Sequence, residues 1–317
     1  MKNMTFASLA YENKKKKTRR EKFLEEMERV IPWKELIPVI QSHYPKAGNG
    51  RQPMPIERML RIYFMQQWYG LSDPAMEDAL YDIESMRRFA DIDIAADVVP
   101  DETTILNFRH LLEKFNLTKK LFEKINGYLT EKGLLLREGT IVDATIVNAP
   151  ASTKNRERSR DSEMRSTRKG NQYYFGMKAH VGTDTRGLVH DIVVTDASVH
   201  DSQVIDKLLH GEEQVVYGDR AYSSENKKRE YEAKGIKWRV NLRGCRWRQL
   251  TEEEVETNHR QSQVRARVEH AFLVVKHLWR YQKVRYKGLY KNAVQVFSLF
   301  ALSNLYLVRQ ELKMVRA

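Results

Sequence analysis

Gly139-Thr-Ile-Val-Asp-Ala-Thr-Ile-Val147 is a β-branched run with one carboxylate, Asp143, at its centre. Branched side chains suit a pleated strand, and Ile141, Val142, Ile146 and Val147 suit a central, buried one. An ionised carboxylate in such a strand is costly unless a cation or hydrogen-bond donor meets it. A structural Asp buried with its own hydrogen bonds would read the same way. The run therefore places Asp143 in a sheet without assigning it a task.

Downstream, a long polar segment covers 150–173 and reads as a loop. Strands follow at 177–182 and 188–195, joined by the hairpin turn Thr183 to Gly187. Next come a helix over 201–210, a strand over 214–218, a helix over 224–234 and a strand over 236–242. A long helix is expected over 252–281, and an apolar one over 294–313. Three antiparallel strands followed by alternating helices and strands predict a mixed α/β sheet. Upstream of Gly133 the period is helical. Ile56, Met59, Leu60, Tyr63, Phe64 and Trp68 mark a helix over 55–69 that Gly70 stops. Asp73-Pro74 reads as the N-cap and first residue of a helix to about Ala90, Asp101 opens another through Phe115, and Thr118 one ending near Gly133. The division expected is a basic arm over 1–20, a helical domain over 21–135 and a mixed-sheet domain over 136–317.

A length of 317 residues accommodates two such cores, and 41% hydrophobic residues argue against wholesale disorder. One cysteine excludes a disulfide framework and a zinc site of paired thiolates. The first twenty residues are polar, with Lys14 to Lys17 and Arg19-Arg20, which is not a signal peptide. The apolar stretch 294–308 is too short to span a bilayer and carries Gln295, Ser298, Ser303 and Asn304. A cytoplasmic protein is expected, without membrane contact. A net charge of +13 points to a polyanion, most simply nucleic acid.

Two further acids stand out. Asp219 ends the strand Gln214 to Gly218, at the carboxyl edge where sites in α/β sheets gather. On the long helix, Val264, Val268, Ala271, Val275 and Leu278 form one apolar face, while Ser262, Arg265, Glu269 and Lys276 form a polar stripe. The bland reading of that stripe is a solvated face with an ordinary Arg265–Glu269 pair. Three carboxylates without a cysteine cluster suit hard cations, Mg²⁺ or Mn²⁺, and two such ions suit phosphodiester displacement. His180, His190, His200 and His210 lie on different elements and read as coincidence.

Gly139 to Thr145, Tyr217-Gly-Asp-Arg-Ala-Tyr222 and Arg265-Ala-Arg-Val-Glu-His-Ala-Phe272 resemble the three acidic motifs of DDE transposases, specifically those of bacterial insertion-sequence family five within the family-four-like group. Pro45 to Gly50, Asn107 to Leu112, Ser152 to Asn155, Lys169 to Gln172 and Phe175 to His180 extend the resemblance over nearly the whole chain. It implies an RNase H-like catalytic fold, with Asp143, Asp219 and Glu269 as catalytic residues and ligands of two Mg²⁺ or Mn²⁺ ions. It also implies Arg265 and Lys276, four before and seven after that Glu, on DNA. Where the related group has a Tyr three residues before the Arg, this chain has Ser262. Only 49 residues separate Asp219 from Glu269, which leaves no room for a large β insertion.

Basic and aromatic residues interleave over 227–248, with Trp238 and Trp247, and over 276–291. Such patches hold phosphates and stack on unpaired bases. Trp238, Trp247, Lys169 and Lys178 join the expected DNA contacts, whereas Trp279 is expected in the core. The segment 154–169 carries seven basic residues against three acidic ones. The function these features imply is cleavage at the ends of an insertion sequence and joining of the 3′-hydroxyl to target DNA. The partners implied are double-stranded DNA and a second copy of the chain, in a nucleoid setting. Two other readings use the same residues: an RNase H-like structure-selective nuclease, and a non-catalytic DNA-binding relic.

Overall fold

The computed structural model describes residues 11, 14–49, 52–156, 158–244 and 247–316. The front is helical: α1 (Arg19–Val30), α2 (Trp33–Gln41), α3 (Ile56–Tyr69), α4 (Asp73–Asp82), α5 (Glu84–Phe89), α6 (Glu102–Lys114) and α7 (Leu117–Glu131). Residues 1–10, 12 and 13 of the expected arm lie outside the described residues. Its remainder is pinned to α1, by Lys14 on Glu21 and Lys17 on Glu25, and Thr18 closes a capping box on α1. Gly70 ends α3 in the left-handed conformation at φ 69°, as a C-cap glycine does. Asp101 caps α6 by accepting from the Thr104 amide at 2.6 Å.

Two local expectations are corrected. Ser72, not Asp73, caps α4; Asp73 is drawn away to pair with Arg109 at 2.8 Å. The helix expected to reach Ala90 breaks at Ile83, whose extended backbone (φ −113°, ψ 101°) separates α4 from α5.

The strands are β1 (Gly139–Asn148), β2 (Arg165–Lys169), β3 (Gln172–Thr183), β4 (Val189–Asp196), β5 (Val215–Gly218) and β6 (Lys237–Val240). Lateral order through the centre is β4-β3-β1-β5-β6, with β4, β3 and β1 antiparallel and β5 and β6 parallel to β1. This mixed sheet is RNase H-like, as expected. β2 lies within the supposed loop and lengthens β3 back to Gln172. Its residues, Arg-Ser-Thr-Arg-Lys, are mostly exposed, so no apolar alternation announced it.

Between β4 and β5 the expected helix is replaced by two short 3₁₀ turns, Asp201–Gln203 and Ile205–Lys207, which tuck Val204, Ile205 and Leu208 under the sheet. Helix α8 (Glu225–Ala233) precedes β6. The expected helix over 252–281 is broken into α9 (Glu252–Arg265), α10 (Val268–Leu273) and one π turn (Val274–Leu278). The β3–β4 turn sits against the break. Gly187, at φ 92°, has no room for a Cβ beside the Arg267 carbonyl, and Arg267 donates to the Thr185 carbonyl at 2.6 Å. The π turn adds a residue to its turn. Val268, Ala271 and Val275 stay buried, but Leu278 is rotated out to 49% exposure.

The chain closes with α11 (Leu289–Leu307) and α12 (Arg309–Arg316). α11 runs between the helical front and the sheet, and twelve of its nineteen residues are buried. Three of its polar residues find partners across that seam: Ser298 with Tyr63 at 3.0 Å, Gln295 with Gln67 at 3.0 Å, and Asn304 with both the Val189 amide and its carbonyl. One hydrophobic core is thus continuous from Leu24 to Leu312. A smaller core, with Val142, Val216, Tyr222 and Trp238, fills the other face of the sheet. Among the described residues, no helix is long and apolar enough to cross a membrane.

Candidate active site

The parallel register pairs Val142 with Gly218, so the next residues, Asp143 and Asp219, emerge side by side where β1 and β5 diverge. Each carboxylate has one oxygen tied to backbone. Asp143 Oδ1 accepts from the Ala144 amide and Asp219 Oδ1 from the Ala221 amide, both at 2.8 Å. The two Oδ2 atoms face a single cation, Arg265 Nη1, at 3.4 Å from Asp143 and 3.9 Å from Asp219. Arg265 comes from the last residue of α9, and the helix break immediately after it sets its direction.

Burial dominates the chemistry of Asp143. It raises the carboxyl to about 6, even though the Ala144 amide and Arg265 favour the ionised form; the charges of Asp219 and Glu269 push the same way as burial. Glu269 is exposed on α10 and acts on Asp143 through space. The ordinary Arg265–Glu269 helical pair of the bland reading is not made, because the chain unwinds at Ala266 and Arg267 and Arg265 turns to the aspartates. Lys276, brought in by the π turn, donates to Thr145 Oγ1 at 3.0 Å and to the Ile146 carbonyl at 2.8 Å. Burial lowers its pKa, and the nearby charge of Lys169, at the tip of the β2–β3 hairpin, lowers it further.

Of the other expected contacts, Trp247 is 88% exposed. Trp238 is corrected: its ring is 9% exposed and stacks flat on Tyr231, with centroids 5.3 Å apart, inside the smaller core. Lys178 is corrected as well. It lies opposite Ile146, on the face of the sheet away from Asp143, and its ammonium is taken up by Asp201 Oδ1 at 2.9 Å and the Val199 carbonyl at 2.8 Å. His180 shares that pocket, with Nε2 on Thr195 Oγ1 at 2.9 Å, and burial lowers its pKa to about 4. Ser262 accepts from Asn241 at 2.9 Å and helps moor α9. Sequence reasoning missed Thr145, the seat of Lys276. Its signal was two-residue alternation, which places Thr145 on the same face as Asp143. His190 and His210 do meet, with rings 5.0 Å apart, although they are distant in sequence.

A family profile described as Transposase DDE domain matches residues 135–305, more than half of the chain and spanning all three acids. The chain belongs to the DDE transposase family. The transposase also matches, over residues 12–111, a profile described as Transposase domain (DUF772). Among solved structures, it is similar to the piggyBac transposase of a synaptic complex with hairpin DNA, at 8% identity and a TM-score of 0.47, over 94% of this chain and 75% of that one. It is also similar to a chain of the Mos1 strand transfer complex, at 14% identity and a TM-score of 0.20, over 77% and 82%.

The family implies use of a divalent metal ion. Among the described residues, no three His, Cys, Asp or Glu side chains stand close enough together to hold one. Asp143 and Asp219 nevertheless suit it: both are hard oxygen donors, and their free oxygens already converge on one positive charge. Glu269 stands apart from that pair.

Proposed function

We propose that the transposase binds the terminal inverted repeats of an insertion sequence, cleaves the ends and joins the freed 3′-hydroxyl to target DNA. The observation that carries the reading is the convergence of Asp143 Oδ2 and Asp219 Oδ2 on one cationic group at the edge of an RNase H-like sheet. Asp143 and Asp219, completed by Glu269 when α10 shifts toward them, are the residues that hold Mg²⁺ or Mn²⁺. Two such ions, when bound, stabilise the attacking and leaving oxygens of an in-line phosphodiester displacement.

The chain's own groups do the rest. Arg265 keeps the two aspartates apart in charge until substrate arrives, then turns to a DNA phosphate. Lys276 holds β1 at Thr145 and Ile146 and keeps a positive charge beside the scissile strand. Lys169 and Trp247, both exposed, contact DNA outside the carboxylates. The helical front over 21–135 recognises the end sequence, residues 136–317 carry the chemistry, and the basic residues up to 20 add phosphate contacts. Two copies pair two ends, in the bacterial cytoplasm on the nucleoid, within insertion-sequence family five.

The test uses labelled end duplexes. Asp143→Asn, Asp219→Asn and Glu269→Gln should each abolish cleavage and strand transfer while end binding stays within a few fold. Cleavage at normal rates by any one of them removes that residue from the site. Cleavage without strand-transfer products would move the reading to a nuclease.

A further inference from the structure

The basic segment 154–169 is not a free loop. Asp161 Oδ2 accepts from the Gly288 amide and Glu163 Oε2 from the Leu289 amide, both at 2.7 Å, at the start of α11. Acidic side chains are favourable there, because the first amides of a helix lack intrahelical partners. Pinning the segment by its acids leaves its arginines on the outside. Arg156 and Arg160 line one wall of a cleft of about 410 Å³, and Arg285, Tyr286 and Lys287 line the other. Arg160 lies over the Phe175 ring, 5.3 Å from its centroid, a contact that directs the guanidinium without neutralising it. Tyr286 is held from behind by Arg109, 4.5 Å from its ring, and Arg109 is itself fixed by Asp73 and Glu113.

The cleft continues a line of positive charge that begins at the carboxylates. Lys276 sits on Thr145 and Ile146, Lys169 lies near it, and Asn148 at the end of β1 bridges to Lys283, next to the cleft wall. The five residue steps from Asp143 to Asn148 cover ~17 Å, the length of ~5 base pairs along a duplex axis. The geometry points to a second DNA-binding surface: the cleft between Arg156 and Arg160 on one side and 284–287 on the other grips backbone phosphates of the duplex about half a turn from the bond being cut. An acidic peptide would also meet positive charge there, but nothing would then align it with the carboxylates. The inference rests on the transposase reading and gives that site its substrate track.

The experiment uses the full chain and a labelled end duplex. Arg156→Ala/Arg160→Ala removes two exposed charges and no buried side chain. Its plot of log affinity against log salt should be shallower than that of the unaltered protein by roughly two. Phosphates whose ethylation blocks binding of the unaltered protein, about five nucleotides from the cleavage point, should become indifferent in the variant. Arg156→Lys/Arg160→Lys should restore both. An unchanged slope with unchanged ethylation interference overturns the cleft while leaving the transposase reading intact. So does a uniform loss with no phosphate singled out. Failure of the unaltered protein to bind any end duplex overturns both.

Discussion

Helices α9 and α11 lie close in the chain and have opposite attachments. None of the fourteen residues of α9 is buried, whereas twelve of the nineteen in α11 are. α9 is moored by polar contacts. Asn258 exchanges hydrogen bonds with the Leu242 amide and carbonyl, Asn241 reaches Ser262, and Arg265 reaches the aspartates. α11 is part of the core itself. Few buried apolar contacts mean easy local opening. The element that delivers Arg265 to the site is thus one of the least anchored, and the element that joins the helical front to the sheet is among the most anchored.

The largest expected effect breaks α11. Leu299→Asp puts an unpaired charge into a fully buried position, a cost of several kcal/mol against a total stability of about 5–15. The variant should lose its cooperative melting transition, and a folded, active protein would show that α11 is not the anchor.

Acid gives a second test, because global stability should track the buried groups near the core and not α9. Burial lowers His180 to about 4, so its share of stability is present above about 6.5 and lost as pH falls toward 4. Lys178 and Asp201 face it, in opposing senses. Asp143 has the opposite sign. Raised from 3.8 to about 6, it favours the fold at low pH and loses that share as pH rises through 6. The two shares largely cancel between pH 7 and 5. Relative to the unaltered protein, the unfolding free energy of His180→Gln should rise on acidification over that window and that of Asp143→Asn should fall, each by on the order of 1–3 kcal/mol. Parallel curves for all three would refute the assignment.

Asn258→Ala sharpens the contrast at α9. It removes both hydrogen bonds to Leu242 and should cost about 1 kcal/mol globally. Amide exchange should accelerate in α9 while α11 stays protected. The smallest effect is expected from Val255→Asp, at a position 54% exposed, which should shift stability by less than about 0.5 kcal/mol. The same chemical change is therefore fatal in α11 and nearly silent in α9.

The mixed sheet was legible in the sequence because β1, β3 and β4 carry apolar, β-branched runs, which placed Asp143 within a strand and Asp219 at the end of one; that these two strands are neighbours is shown by the register. The front helices were legible from Gly70 and Asp101, whose cap chemistry is local. The polar stripe on the long helix was not. Its alignment assumed uninterrupted helical geometry, whereas the break after Arg265 is set by the β3–β4 turn packed beneath it. Lys178 and Trp238 misled for a related reason. Basic and aromatic residues near one another signal nucleic acid only when they face outward, and facing is decided by partners such as Asp201 and Tyr231 that lie on other elements of the fold.

The placement of α11 also sets a timetable for synthesis. Tyr63 meets Ser298 across 235 residues of chain, and Gln67 meets Gln295 across 228. At about 5–20 residues per second, the front helices leave the ribosome roughly 10–50 s before the helix that completes their core. During that interval the faces of α3 and α7 that meet α11 have no native cover, and chaperones have their main opportunity to bind. Non-local pairing of this kind also slows folding after release. A nascent transposase therefore becomes competent late and all at once, when its last long helix slides into the seam.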